Sequence, residues 1–197
     1  MAGKRRASSG SAESVPRKRR GPRTKPAVAE LTPIRFVVDR VVSGGQTGVD
    51  RAALDVAIEL GIEHGGWCPR GRLAEDGPIA ARYQLRETDS PDYPQRTEQN
   101  VLDSDGTLIV YRERLTGGTK LTEMLTRRHS KPLLLVDLAT EPDVTAMQSW
   151  LRGQAIRTLN VAGPRESTSP GIAREAAALL RDLLCEHWSE SSDDPVQ

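Results

Sequence analysis

The sequence predicts a single doubly wound α/β domain, with about five parallel strands and helices on both faces. Three observations predict it. Short apolar runs of β type alternate with amphipathic helical stretches from residue 36 onward. Pro132–Leu138 is almost continuously apolar, as suits a strand buried on both faces by helices. Glycine-rich turns follow the strand candidates, where a parallel sheet places its ligand loops.

Phe36–Val42 reads as the first strand and Asp50–Leu60 as the first helix. Between them runs Ser43-Gly44-Gly45-Gln46-Thr47-Gly48-Val49-Asp50. Its glycines permit a sharp turn, and the unpaired N–H groups of the following helix favour an anionic guest. The loop matches neither a Walker A box nor a G-x-G-x-x-G fingerprint. Asp50, at the helix start, has two readings of equal weight: capping N–H groups or touching ligand.

A second strand ends at Gly66-Trp67-Cys68-Pro69-Arg70-Gly71, where Cys68 has two readings, a thiol facing the pocket or, the favoured one, a packing residue. Ala74–Ile79 and Ser90–Pro94 are turns, and Tyr83–Thr88 is an extended segment between them. Loops this long suit a pocket wall or lid. Gln95–Asp103 reads as a short helix with a polar face of Arg96, Thr97, Gln99 and Asn100, from which Arg96 and Asn100 are expected to reach a ligand.

Asp105–Tyr111 is the next strand, and Thr116-Gly117-Gly118-Thr119 opens a helix running to about His129. After the strand Pro132–Leu138, Asp143–Arg152 is helical and Gly153 is its stop. Thr158–Val161 is a short strand, followed by Ala162-Gly163-Pro164-Arg165-Glu166-Ser167. The last helix, Gly171–Trp188, carries an apolar stripe of Ile172, Ala176, Leu179, Leu180, Leu183 and Leu184, with Cys185 as a small core residue. Three loops therefore follow strands, and one shared pocket is the economical reading. Substituting Gly45 or Gly118 by Val is expected to abolish binding there without harming the fold.

Residues 1–30 form a basic extension without apolar periodicity, 31–188 the folded domain and 189–197 an acidic tail; both ends are expected to be disordered. Nine Lys or Arg against Glu13 make residues 1–29 +8, and since the whole chain is +1 the remainder carries −7. The arm suits a solubilising role or weak contact with a polyanion. It has no interleaved aromatic to stack on single-stranded bases. No apolar run approaches the ~20 residues of a membrane span and no secretory signal opens the chain, so a cytoplasmic protein is expected. Two cysteines suggest neither a disulfide framework nor a zinc site, and three histidines on separate elements suggest no protein-ligated metal. Nothing proves a homo-oligomer, which stays open.

SGGQTGVDRAALDVAIELGI, GWCPRGRLAEDGPIAARYQLRET, QRTEQNVLDSDGTLIV, TGGTKLTE and LNVAGPRES, in this order, resemble the family known as putative molybdenum carriers, the circularly permuted YpsA branch of the Rossmann-like SLOG superfamily. The resemblance covers about Val38 to Leu184. It implies a phosphate-bearing pterin or nucleotide at the strand ends, with molybdenum cofactor (molybdopterin) as cargo and molybdoenzymes or cofactor-synthesis proteins as partners. The residues it points to are Ser43, Gly44, Gly45, Gln46, Thr47, Gly48 and Asp50 in the first loop, with Arg70, Arg96 and Asn100. Thr116, Gly117, Gly118 and Thr119, then Gly163, Arg165, Glu166 and Ser167, complete the set. Relatives in the superfamily include phosphoribohydrolases, which implies an alternative: a hydrolase of an N-glycosidic bond or a nucleotide sensor, with Glu123 as candidate catalytic carboxylate. The loop Gly117-Gly118-Thr119-Lys120 departs from the Gly-x-Gly-Thr spacing of those enzymes.

Overall fold

The computed structural model describes residues 36–185 together with Gly3. The predicted arm, Gly3 apart, and the acidic tail lie outside the described residues. Five strands make the main sheet: β1 (Arg40–Val42), β2 (Glu63–Gly65), β7 (Gly106–Tyr111), β8 (Leu133–Asp137) and β9 (Thr158–Ala162). All its pairings are parallel, in the spatial order β2-β1-β9-β7-β8. The last strand in sequence thus lies in the middle, with Val41 opposite both His64 and Leu159.

Helices α1 (Val49–Leu60), α3 (Gly117–Arg128) and α4 (Val144–Gly153) are the crossovers. The connection through α1 runs outward to one edge of the sheet, and the connection through α3 runs outward to the other. Right-handed crossovers in opposite directions put these helices on opposite faces. The final helix α5 (Ile172–Leu184) packs against α1 and α4, while α2 (Tyr93–Leu102) packs against α3. The predicted doubly wound fold is therefore present.

The main core lies under α1, α4 and α5, where Val56, Leu151, Leu180, Leu183 and Leu184 are almost wholly shielded. Each such side chain contributes roughly 1.5–3 kcal/mol of burial. A second cluster, Leu54, Cys68, Ile79, Tyr83 and Leu85, closes the segment between β2 and α2. Cys68 is thus a core residue, as expected, and burial pushes its thiol up from the usual cysteine range.

Several boundaries differ from the sequence reading, each for a tertiary reason. The first strand begins at Arg40, because Phe36 pairs with Cys185 and the Val37 amide donates to Leu184 O. That same pairing holds Cys185 extended and half-buried, so α5 ends at Leu184. The second strand candidate is split. At Gly66, with φ of 121° and an ideal Cβ only 2.4 Å from Ser43 O, the chain leaves the sheet. It continues as β3 (Trp67–Cys68), paired in parallel with β6 (Arg86–Glu87). The turn at residues 74–79 is the tip of a hairpin, β4 (Leu73–Ala74) with β5 (Gly77–Pro78). Helix α2 starts at Tyr93 rather than Gln95, with Pro94 in its first turn where a missing N–H costs nothing. Gly153 closes α4 as its last residue, and Ala155 takes the left-handed conformation at φ 52°.

Candidate functional site

The C-terminal ends of β1, β9 and β7 are neighbours, so their loops meet although they are far apart in sequence. With the start of α2 they line a cleft of about 400 Å³. Its wall includes Gln46 and Asp50 from the first loop and helix, Arg96 from α2, Thr116–Thr119 at the start of α3, and Gly163 and Arg165 after β9. The shared pocket expected from the three loops is there.

Two glycines make that convergence sterically feasible. A Cβ on Gly163 would lie 2.3 Å from Val110 O and 2.5 Å from Val49 Cγ2, and one on Gly48 would lie 2.2 Å from Pro164 O. Loop-to-loop approach is therefore backbone against backbone. Ser43 ties the first loop to β9 by donating its hydroxyl to Val161 O at 2.7 Å.

Asp50 is buried and takes neither of its predicted roles in simple form. Gly48 occupies the N-cap position, and the Asp50 carboxylate accepts from Arg96 Nη1 at 3.1 Å and from the Gln46 amide at 3.4 Å. Burial pushes its carboxyl above the usual aspartate range, opposed by the Arg96 charge and by the Gln46 and Gly163 amides. It lines the cleft while holding α2 against the first loop.

Helix α3 presents its N-terminus to the cleft. Thr116, at the N-cap, makes no side-chain cap bond, and Gly118 has no atom within 4 Å of an ideal Cβ. Among the described residues, the Thr119 amide is engaged by Thr116 O at 3.1 Å, while the Gly117 and Gly118 Cβ positions face open space. Arg165 sits over the Tyr93 ring, 4.8 Å from its centroid, and Arg96 lies 5.7 Å from the same ring. This arrangement offers N–H donors, two guanidinium groups and an aromatic wall, with Asp50 as the sole carboxylate among the lining residues.

The remaining predicted residues stand elsewhere. Arg70 is exposed and outside the cleft, the Gly66–Gly71 segment having been carried off the sheet at Gly66. Asn100 spends its side chain on Trp67, accepting from its N–H at 2.8 Å and donating to its carbonyl at 3.0 Å. Gly44 passes beneath Arg96, with a Cβ position 1.5 Å from Nη1, and Gly45 packs on Leu85 and Ile79 with φ of 73°. A valine at Gly45 would therefore strain the backbone, which corrects its expected harmlessness to the fold. Thr47, Gly48, Glu166 and Ser167 line a separate groove beside α1 and α5. There Glu75 joins Thr47 and Ser167, while Glu166 accepts from the Gly171 and Ala173 amides at the start of α5.

Glu123 is buried one turn into α3 but does not line the cleft. Lys120 Nζ, at 2.6 Å, and Arg127 Nε, at 3.1 Å, hold its carboxyl below the usual glutamate range. An ionised carboxylate could steady a developing cation, but Glu123 stands outside the cleft lining with Lys120 and Arg127 on its oxygens.

Tyr93, Thr97, Thr122 and Thr168 line the cleft without having been singled out for it. Pro94 was the available signal for Tyr93, since proline favours the first helical turn and would have moved the helix start back.

Among the described residues, no group of three or more His, Cys, Asp or Glu side chains is placed to hold a metal ion, and no helix is long and apolar enough to cross a membrane.

No curated protein matches the chain. A solved structure, described as a putative molybdenum carrier protein from Syntrophus aciditrophicus SB, is 45% identical to it with a TM-score of 0.72; the match covers 76% of this chain and 96% of that one. Residues 41–184 match the model of the circularly permutated YpsA SLOG family, over the same stretch that carries the five motifs. The chain belongs to that family.

Proposed function

We propose that the cleft binds a phosphate-bearing pterin or nucleotide-like ligand and that the protein is a cytoplasmic carrier of molybdenum cofactor. The observation that carries the reading is that the uncapped N-terminus of α3 and Arg165 line one cleft. Helix amides and a guanidinium favour a phosphate, and the site needs no protein side chain to ligate a metal held by the cargo itself. The similar protein from Syntrophus aciditrophicus, described as a putative molybdenum carrier, supports the choice of cargo. Transfer to molybdoenzymes or cofactor-synthesis proteins belongs to the same proposal. The hydrolase alternative loses its support with Glu123 outside the cleft and Asp50 paired to Arg96.

The test is purification without added ligand, followed by pterin detection by mass spectrometry and molybdenum analysis. Wild type should retain both in near-equal amounts, and Gly118→Val should lose both at an unchanged melting temperature. A nucleotide without molybdenum would shift the reading to nucleotide binding, and wild type that neither retains nor binds a phosphate compound would overturn it.

A further inference from the structure

The charged side chains that line the cleft are Asp50, Arg96 and Arg165, and the first two are paired at 3.1 Å. Arg165 therefore carries the charge left over. Among the described residues its guanidinium makes no side-chain hydrogen bond or ion pair. Glu75 feels its charge, but the Glu75 oxygens are taken up by Thr47 and Ser167. What the Arg165 head does rest on is the Tyr93 ring, with Cζ 4.8 Å from the centroid.

Both ends of this contact are anchored through their backbones. Tyr93 is the first residue of α2, with Pro94 behind it and its carbonyl accepting from Thr97 Oγ1 at 2.9 Å. The Arg165 carbonyl accepts from the Thr168 and Ser169 amides at 3.2 and 3.0 Å. The remaining freedom is in the long arginine side chain, and fixing it at the moment of binding costs affinity. A ring against a guanidinium takes up one π face and leaves the in-plane N–H fork unspent. Stacking thus orders the cation in advance without consuming the donors that recognise phosphate. Arg96 lies 5.7 Å from the same centroid but does not replace it, because Asp50 neutralises its charge.

Resting on the phosphate-site reading above, we propose that Tyr93 is a positioning residue whose ring presents the Arg165 guanidinium to the phosphate of the ligand. Its effect on binding passes through Arg165 and is confined to ligands that carry the phosphate.

The experiment is calorimetric titration of the cargo-free full chain with inosine 5′-monophosphate and with inosine, whose difference isolates the phosphate. Wild type should bind the monophosphate more tightly, and Arg165→Met should remove most of that advantage. Tyr93→Leu, with Tyr93→Gln as a second ringless variant, should weaken monophosphate binding by about fivefold and leave inosine unaffected. Tyr93→Phe keeps a ring and should stay within about twofold of wild type. In an Arg165→Met background, loss of the ring should have no further effect. Thermal melts establish that each variant is folded. Ringless variants that bind the monophosphate as wild type does, that weaken inosine as well, or that lose affinity equally with and without Arg165 would overturn the role of Tyr93. The phosphate advantage of wild type would then still stand. A wild type that binds the two compounds equally would remove the phosphate site and this proposal with it.

Discussion

Arg96 Nη1 lies 3.1 Å from Asp50 Oδ2, joining α2 to the start of α1 across 46 residues of sequence. Both side chains are largely withdrawn from water, at 14% and 5% exposure. The pair fixes one wall of the cleft against the loop after β1.

Removing one partner of such a pair is costly, because the other charge stays buried. Arg96→Met is expected to destabilise the protein by about 3–5 kcal/mol in urea denaturation. Its pH dependence has a definite sign. Burial already raises the Asp50 carboxyl above its unfolded value, and loss of Arg96 raises it further. Stability gained by protonation is fully present below the unfolded value and fades as pH rises through the folded one. The variant should therefore recover part of its deficit on mild acidification. A deficit that stays constant from neutral pH down to pH ~4 would contradict the assignment.

Gly163→Ala and Gly118→Ala should behave oppositely. The first forces a Cβ against Val110 O and Val49, and should cost about 1–3 kcal/mol. The second meets empty space in the first turn of α3 and should leave stability equal or raised by up to about 1 kcal/mol. Thermal melts of the two variants side by side measure the difference.

Glu123→Gln should leave ligand binding unchanged, since the residue does not line the cleft. Its effect belongs to acid stability. Lys120, then Arg127, hold the carboxyl below its unfolded value, so its contribution is present above the glutamate range and is lost as pH falls through the folded value. The variant should lose less stability than wild type between neutral and strongly acidic pH. Reduced ligand affinity at neutral pH would place Glu123 back in the site.

Glu75 fastens the β4–β5 hairpin to two loops through Thr47 and Ser167, and Asp76 pairs with Arg51 beside it. These contacts are exposed, and exposed polar contacts add little to global stability. Glu75→Ala should leave the melting temperature nearly unchanged while hydrogen exchange at residues 73–79 accelerates. Unaltered exchange there would show that the hairpin is held by its apolar residues alone.

The Cys68 thiol, buried and shifted upward, should resist alkylation in the native protein and react only on unfolding. Cys68→Ser should not change ligand affinity, because Cys68 is outside the cleft. Mass spectrometry after iodoacetamide treatment checks the first point and titration the second.

The alternation of strands and helices and the glycine loops at strand ends were legible from the amino-acid order, because hydrophobic period and backbone freedom are local properties. The stripe Ile172, Ala176, Leu179, Leu180, Leu183 and Leu184 announced α5 without knowledge of its neighbours. That the strand-end loops share one side of the sheet was legible as well, since parallel strands put their C-terminal ends on the same side; that β1, β9 and β7 are neighbours was not. What only the tertiary structure decided was which polar side chains reach the cleft. Asn100 and Glu166 carry suitable chemistry, but one holds Trp67 and the other the start of α5. Asp50 and Arg96, 46 residues apart, meet only because the start of α1 and helix α2 border the same cleft. A hydrogen bond depends on the distance between atoms contributed by separate elements, and that distance follows from sheet order and packing, which local sequence does not encode.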